Sequence, residues 1–189
     1  RCCSLSSNMS NPSLNIVNLV ASARFTDSLD IIGVAEDLEI DYEPEQFPGM
    51  VYRNESPKVC ILLFRSGKAV ATGAKSFDDA KVALRNLYDK LNALGYSLWP
   101  YTDDITLQNL VITHDVGATL DLPLLSVALP MERTEYEPEQ FPGLIYRLAT
   151  PQAVCLVFSS GKCVITGCKS LEDAEIASKT LTTEVHAMI

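Results

Sequence analysis

One stretch of eight residues occurs twice in this chain, and this duplication constrains the fold more than any other feature. Tyr42–Gly49 and Tyr136–Gly143 are identical, at an offset of 94 residues (136 − 42). The likeness continues to Ser76 and Ser170, with 21 of 35 aligned positions identical. A unit of this length exceeds the repeats of solenoid proteins and indicates a duplicated half-domain. Two fused copies have approximate two-fold symmetry, which suits a target of similar symmetry such as duplex DNA.

The amino-acid composition narrows the class of protein to which this chain can belong. The 189 residues are 47% hydrophobic, which is enough to bury a substantial core. No apolar run approaches the roughly 18 residues of a membrane span, so we expect no membrane association. The six cysteines lack CxxC spacing, so we expect free thiols in a reducing compartment and neither a metal nor another cofactor. The net charge of −9 argues against a generic nucleic-acid binder, which usually carries a basic excess.

The order of elements within one copy predicts an α+β fold. Residues 15–25 read as a strand and Asp27–Leu38 as a short helix that Asp27 can cap. Three strands follow at 50–53, 58–64 and 68–74, and a longer helix starts at Ser76. The second copy repeats this order from Leu107, with helices at 122–129 and from Ser170. We therefore predict a disordered leader over 1–13, because it has no signal-peptide apolar core, and repeats over 14–100 and 101–189.

Helices on one face of such a sheet leave the other face uncovered, and strand alternation indicates which residues line it. This face is largely apolar, carries no acid and has Arg and Lys at strand ends, as expected of a binding surface. In ordinary core a further layer would cover it, but no segment remains to form that layer.

The doubled Phe-Pro-Gly, Tyr-Arg, Phe-x-Ser-Gly-Lys and Thr-Gly-x-Lys-Ser motifs resemble those of the TATA-binding protein family, from about Asn15 to the end. The resemblance implies a saddle of two pseudo-symmetric repeats, with one continuous curved antiparallel β-sheet and helices on its convex face. It also implies a general transcription initiation factor that binds the minor groove of double-stranded TATA-box DNA. The family is a standard example of minor-groove proteins that kink DNA with apolar wedges.

The family's site residues carry over to matching positions. Its wedge phenylalanines fall on Phe47 with Phe64 and on Phe141 with Phe158. Its minor-groove base contacts fall on Asn18, Val20, Leu62, Val70 and Thr72 and on Asn109, Val111, Leu156, Val164 and Thr166. Its phosphate contacts fall on Arg53, Lys68 and Lys75 and on Arg147, Lys162 and Lys169. Six phosphate contacts would give a log–log salt slope of roughly −5.

The resemblance also implies protein partners. In the family the second repeat's loop docks the B-type general transcription factor, so Glu137 and Glu139 are candidates, and the assembly recruits RNA polymerase into a pre-initiation complex. The twin loop, with Glu43 and Glu45, offers the same chemistry. The sequence departs from the pattern at Val17, where many members have Gln. The acidic pI and the balanced charge of the helix after Ser76 look like archaeal members. We expect an intracellular protein, in the cytoplasm or nucleoid if archaeal and in the nucleus if eukaryotic.

Two other functional classes are compatible with parts of this sequence. An enzyme is disfavoured, because Gly73–Ser76 lacks the spacing of a phosphate-binding loop and the two histidines have no repeated nucleophile partner. A divergent interaction module, which keeps the fold but binds proteins or non-TATA DNA, is favoured slightly by the acidic charge. The large apolar face also makes a DNA-free homodimer a hypothesis.

Overall fold

The computed structural model describes residues 14–189; the leader predicted over 1–13 lies outside the described residues. By packing, these residues form two compact units. One, the first unit, is Asn18–Gln108; the other, the second unit, combines residues 14–17 with Asn109–Ile189. The chain passes from one unit to the other inside two long strands rather than between the repeats.

The first unit is an antiparallel sheet with two helices. Its elements are β1 (Asn15–Arg24, of which residues 18–24 belong here), α1 (Ile31–Asp37), β2 (Met50–Asn54), β3 (Val59–Leu63), β4 (Lys68–Ala74) and α2 (Phe77–Ala93). The strand order is β2-β3-β4-β1. These bounds confirm the predicted strands and the predicted long helix.

The second unit repeats this order. Its elements are β5 (Thr106–Asp115), α3 (Leu122–Ala128), a 3-10 turn (Met131–Arg133), β6 (Thr134–Glu135), β7 (Leu144–Ala149), β8 (Gln152–Val157), β9 (Lys162–Cys168) and α4 (Leu171–Ala187). The strand order is β5-β9-β8-β7-β6, and every pair is antiparallel. The short strand β6 was not predicted, because two residues are too few to show alternation.

The long helices begin at capping serines. The Ser76 hydroxyl accepts a hydrogen bond from Asp79 N at 3.0 Å, and Ser170 does the same for Asp173 N at 3.0 Å. Each bond satisfies an amide that would otherwise lack a partner in the first helical turn. Gly95, with φ +94°, follows the end of α2 in the left-handed conformation that glycine adopts without strain.

The prediction for α1 was wrong at its start. The helix begins at Ile31, and its cap is Asp30, whose carboxylate accepts from Gly33 N at 3.1 Å. Asp27 does not cap it. The reason is that Leu29 N donates to the Arg65 carbonyl at 2.8 Å, which holds the preceding segment against the turn after β3.

Alternation along the strands separates a helix-covered face from an uncovered one in each unit. In β3 and β4, Ile61, Leu63, Ala69 and Ala71 are fully buried, and α2 contributes Leu84, Leu87 and Leu91, also fully buried. Burying a leucine side chain fully contributes roughly 1.5–3 kcal/mol, so this layer accounts for much of the unit's stability. The intervening strand residues are only half-buried. Among residues 14–189 no helix is long and apolar enough to cross a membrane.

Candidate nucleic-acid interface

Two rows of cross-strand neighbours build the uncovered face of the first unit. An apolar row runs from Val51 through Leu62 and Val70 to Ser22. A polar row runs from Arg53 through Cys60 to Thr72. Ser22 ends the apolar row buried, at 6% exposure, and its hydroxyl accepts from Gln108 Nε2 at 2.8 Å.

The second unit builds the same two rows at matching positions. Ile145, Leu156, Val164 and Thr113 form its apolar row. Arg147, Val154 and Thr166 form its polar row. The structure thus brings Leu62, Val70 and Thr72 together in one unit and Leu156, Val164 and Thr166 together in the other. Val20 and Val111 are half-buried in the neighbouring strands β1 and β5.

A pair of phenylalanine rings lies at one end of each uncovered face. Phe47 and Phe64 have ring centroids 6.0 Å apart, and Phe141 and Phe158 have theirs 5.8 Å apart. Both pairs meet edge to face, with the ring planes at 64°. None of the four side chains is fully buried, and Phe47 is 41% exposed. Two aromatic pairs of nearly identical geometry are therefore presented at the surface.

A glycine makes room for each ring pair, a role that sequence reasoning missed. A Cβ atom on Gly49 would lie 2.8 Å from Phe47 Cε2 and 3.0 Å from Phe64 Cε2. A Cβ atom on Gly143 would lie 2.9 Å from a carbon of each of its two rings. Both glycines belong to the identical stretch of the repeat, and this identity is the signal that could have revealed them. The rings can approach the strand only because no side chain is present there.

The two asparagines are held by backbone amides. Asn18 Oδ1 accepts from Gly73 N at 2.7 Å, and Asn109 Oδ1 accepts from Gly167 N at 2.9 Å. Within an asparagine side chain only the oxygen accepts a hydrogen bond, so this bond fixes which end of each side chain is the NH2 group. The two glycines have φ of +85° and +97°, a region that disfavours other residues. What each asparagine offers to a ligand is therefore a hydrogen-bond donor, although one N–H of Asn109 already donates to Thr166 Oγ1 at 3.4 Å.

The cations predicted to contact phosphate are exposed, but they are not equivalent. Lys68, Lys75, Lys162 and Lys169 lie at the starts of strands or just before helix caps. Arg147 Nη1 forms an ion pair with Glu135 Oε2 at 2.8 Å. Its counterpart Arg53 has no carboxylate within 4.0 Å among the residues that the structure describes. The strand β6 that carries Glu135 has no equivalent in the first unit.

The loops that carry the candidate partner-binding acids have the same backbone geometry. Phe141 N and Gln140 N both donate to the Glu137 carbonyl, at 3.0 and 2.9 Å. Phe47 N and Gln46 N donate to the Glu43 carbonyl at 3.1 and 3.0 Å. The side chains of Glu137 and Glu139 are exposed. Loop geometry alone therefore does not distinguish the second loop from the first.

The thiols within residues 14–189 lie mostly away from the candidate interface. Cys155, Cys163 and Cys168 are free and buried, and burial raises their pKa to about 12, 12 and 11. Such thiols are neutral at physiological pH and poor nucleophiles. Of the four cysteines that the structure describes, Cys60 is the exception, a half-buried free thiol on the uncovered face. Within residues 14–189 no group of three His, Cys, Asp or Glu side chains is placed to hold a metal ion.

Comparison with known proteins bears directly on this arrangement. The sequence model described as "Transcription factor TFIID (or TATA-binding protein, TBP)" matches residues 13–94 and 104–188. The TATA-box-binding protein of Haloarcula marismortui is 51% identical over 172 residues, covering 89% of this chain and 91% of that protein. The TATA-box-binding protein 1 of Haloferax volcanii is 53% identical over 167 residues, covering 87% of each chain.

A solved structure agrees with the sequence relatives. The Methanococcus jannaschii TBP structure matches with a TM-score of 0.83 at 47% identity, covering 93% of this chain and 99% of that one. This match confirms the predicted fold class, and the archaeal sources of these relatives agree with the predicted archaeal-like character. With both repeats matched and about half the residues identical over most of its length, this chain belongs to the TATA-binding protein family.

Proposed function

We propose that this chain is a transcription initiation factor that binds TATA-box promoter DNA in the minor groove. The observation that carries the proposal is the pair of uncovered faces, each with an apolar row, an amide donor and a partly exposed ring pair in matching positions. The names of the relatives support the same reading, since each is a TATA-box-binding protein. The central rows of both faces contain no acid, and Asp115 and Glu135 lie only at the edges of the second face, so DNA binding is compatible with an overall charge of −9.

Each ring pair would act as a wedge that kinks the duplex. An exposed aromatic edge can enter a partly opened base step, and the unstacking, which costs roughly a few kcal/mol per step for this family's class of binder, is offset by the larger wrapped interface. Pyrimidine–purine steps such as TA open most easily, so flexibility favours a TATA-like sequence. The glycine beside each pair, Gly49 or Gly143, leaves the space that the two rings occupy.

Base selection would come from the amides and the apolar rows. The minor-groove edges of A·T and T·A present only acceptors, adenine N3 and thymine O2, whereas guanine adds its N2 amine donor. The NH2 groups of Asn18 and Asn109 match these acceptors because their oxygens are already engaged by backbone amides. The valines and leucines of the rows leave a guanine amine without a partner, which favours A/T over G/C.

Cations around the faces would hold the DNA backbone. Arg53, Lys68, Lys75, Lys162 and Lys169 are exposed and can reach phosphates, while Arg147 must first leave Glu135. Each phosphate contact contributes about 0.9 to the salt slope for duplex DNA. We therefore expect a slope smaller in magnitude than six free cations would produce.

The bound complex would recruit the next factors of initiation. We propose that Glu137 and Glu139, exposed in the second loop, dock the B-type general transcription factor, which then brings in RNA polymerase. We propose that this activity takes place with the genome, in the cytoplasm, which the archaeal sources of the relatives support. No catalytic step is needed for any part of this function.

The deciding experiment uses a fluorescently end-labelled duplex that carries TATAAA and a G/C-substituted control, titrated across a salt series. We expect tighter binding and bending of the TATA duplex alone. The F141A/F158A variant should lose bending while the folded state remains, since these rings border solvent. A folded wild-type protein that binds neither duplex would contradict the proposal. That result would favour the divergent interaction module.

A further inference from the structure

Equivalent positions at the ends of the two uncovered faces carry different charges. β1 ends at Arg24, which faces Lys68 in register, whereas β5 ends at Asp115, which faces Lys162. The turn after the second wedge phenylalanine begins with Arg65 in the first repeat and with Ser159 in the second. This end of the first unit's face thus carries three positive charges, and the equivalent end of the second unit's face carries one positive and one negative charge. We call Arg24, Arg65 and Lys68 the turn cation cluster.

The cluster is held in place by its own unit. Arg24 Nε donates to the Ser66 carbonyl at 2.9 Å and to the Thr26 carbonyl at 3.1 Å. Its guanidinium carbon lies 5.7 Å from the centre of the Trp99 ring, within cation–π distance. These bonds use one nitrogen and leave the rest of the guanidinium fork available. Arg24 is therefore pre-positioned at the surface.

The cluster makes no direct ion pair with an acid of residues 14–189, although Asp30 lines the same surface hollow as Arg65 and Asp104 the same hollow as Arg24. All three side chains are exposed, and within residues 14–189 no carboxylate lies within 4.0 Å of them. In the second unit the Asp115 carboxylate accepts from Gly117 N at 2.8 Å, which holds a negative charge at the equivalent place. A polyanion would therefore be attracted more strongly to the end of the first unit's face than to the end of the second unit's face.

The cluster lies next to a wedge pair. Phe64 N donates to the Lys68 carbonyl at 3.0 Å and so closes the turn that carries Arg65. The Arg65 carbonyl accepts from Leu29 N at 2.8 Å, which fixes the base of the turn while its side chain remains exposed. If the Phe47–Phe64 pair enters the duplex, the cluster meets the backbone beside that step, because Arg24 lies at the opposite end of β1 from Asn18.

We propose that the turn cation cluster binds the phosphates of the duplex that flanks the A/T-rich element, on the side of the first unit only. Arginine suits this role because its planar fork matches phosphate oxygens and stays charged. This inference rests on the proposed function, since it places the cluster by the DNA that the uncovered faces bind. It adds Arg24 and Arg65 to the phosphate contacts and makes the footprint unequal at its two ends.

The test compares a core duplex with one extended by about ten base pairs, one helical turn, on each side. We expect wild-type protein to bind the extended duplex with a salt slope steeper by about 1.8, from two phosphates at about 0.9 each. R24Q/R65A should lose this difference and leave affinity for the core duplex unchanged. R24K/R65K should keep it, because lysine also binds phosphate as a point charge.

Two further variants separate the cluster from general charge. K81Q/K90Q removes the same two charges from α2, on the helix-covered side of the first unit, and should keep the wild-type difference between the duplexes. D115N/S159R makes the second end more positive, and hydroxyl-radical footprinting should then show protection of both flanks rather than one. In D115N the side-chain oxygen can still accept from Gly117 N.

The outcomes of these experiments distinguish failure of the cluster proposal from failure of the proposed TATA-binding function. Wild-type protein that selects the TATA core while R24Q/R65A keeps the extended-duplex slope and footprint would overturn the inference alone. The cluster would then be free to serve another partner, such as an acidic protein segment. Wild-type protein without any preference for the TATA core would overturn both proposals.

Discussion

The substitution Gly143→Ala tests whether the ring pair of the second unit is a working part of the interface. The added Cβ would lie 2.9 Å from Phe141 Cε2 and 2.9 Å from Phe158 Cε1. Carbon atoms in ordinary contact are about 3.5–4.0 Å apart, so one or both rings must shift by roughly 0.6 Å or more. Overpacking of this kind costs typically about 1–3 kcal/mol.

That cost should fall mainly on DNA binding. The rings border open surface, so they can move outward in the free protein with little loss of folding stability. In the complex they must return to the position that fits the base step. We therefore expect affinity for TATA DNA to fall by about 5- to 150-fold, which is the same 1–3 kcal/mol at about 1.4 kcal/mol per tenfold change.

The assay measures affinity and bending by fluorescence energy transfer across a doubly labelled duplex, with unfolding midpoints measured alongside. S159A, an exposed change next to the same turn, serves as the control and should match wild type. A double-mutant cycle supplies the decisive comparison. In an F141A/F158A background G143A should have no further effect, because no ring remains to be displaced. An equal loss in that background would refute the argument that the glycine acts through the rings.

Three other predictions follow from particular contacts. Glu135→Gln should free Arg147 to bind phosphate and steepen the salt slope of DNA binding by about 0.9. The control E132Q removes the same charge from the neighbouring 3-10 turn and should leave the slope unchanged. Equal slopes in the two variants would contradict this prediction. Asn109→Asp keeps an oxygen for Gly167 N but loses the NH2 donor, so the ratio of TATA to G/C affinity should fall by about tenfold, and an unchanged ratio would argue against base contact. Burial lowers the pKa of His114 from 6.5, although the charge of Asp115 opposes this shift. The folded state therefore favours the neutral imidazole ring. The stability that neutral His114 contributes is complete above about pH 6.5 and is lost as the pH falls toward the lower pKa of the folded state. Denaturant midpoints across this range should fall less in H114Q than in wild type, and parallel curves would exclude His114 as the cause.

Much of the architecture is readable from the sequence because the relevant signals are local. Strand alternation, the serine caps and the turn at Ser66–Gly67 depend on neighbours in the chain, and the bounds of β4 were predicted to the residue. The start of α1 was not readable, because Asp27 and Asp30 are both good caps. A tertiary hydrogen bond, from Leu29 N to the Arg65 carbonyl, decided between them.

The repeat itself determined the most about this protein. Its identical stretches predicted a duplicated α+β domain, an uncovered face and the positions of four surface phenylalanines, because one sequence in two similar surroundings folds the same way. The tertiary structure decided what the two copies do not share. The ion pair of Arg147 with Glu135 depends on β6, and the turn cation cluster of Arg24, Arg65 and Lys68 depends on three segments meeting at one turn. Electrostatic energies depend on separation in space rather than along the chain, so such differences between the halves emerge only when the chain has folded.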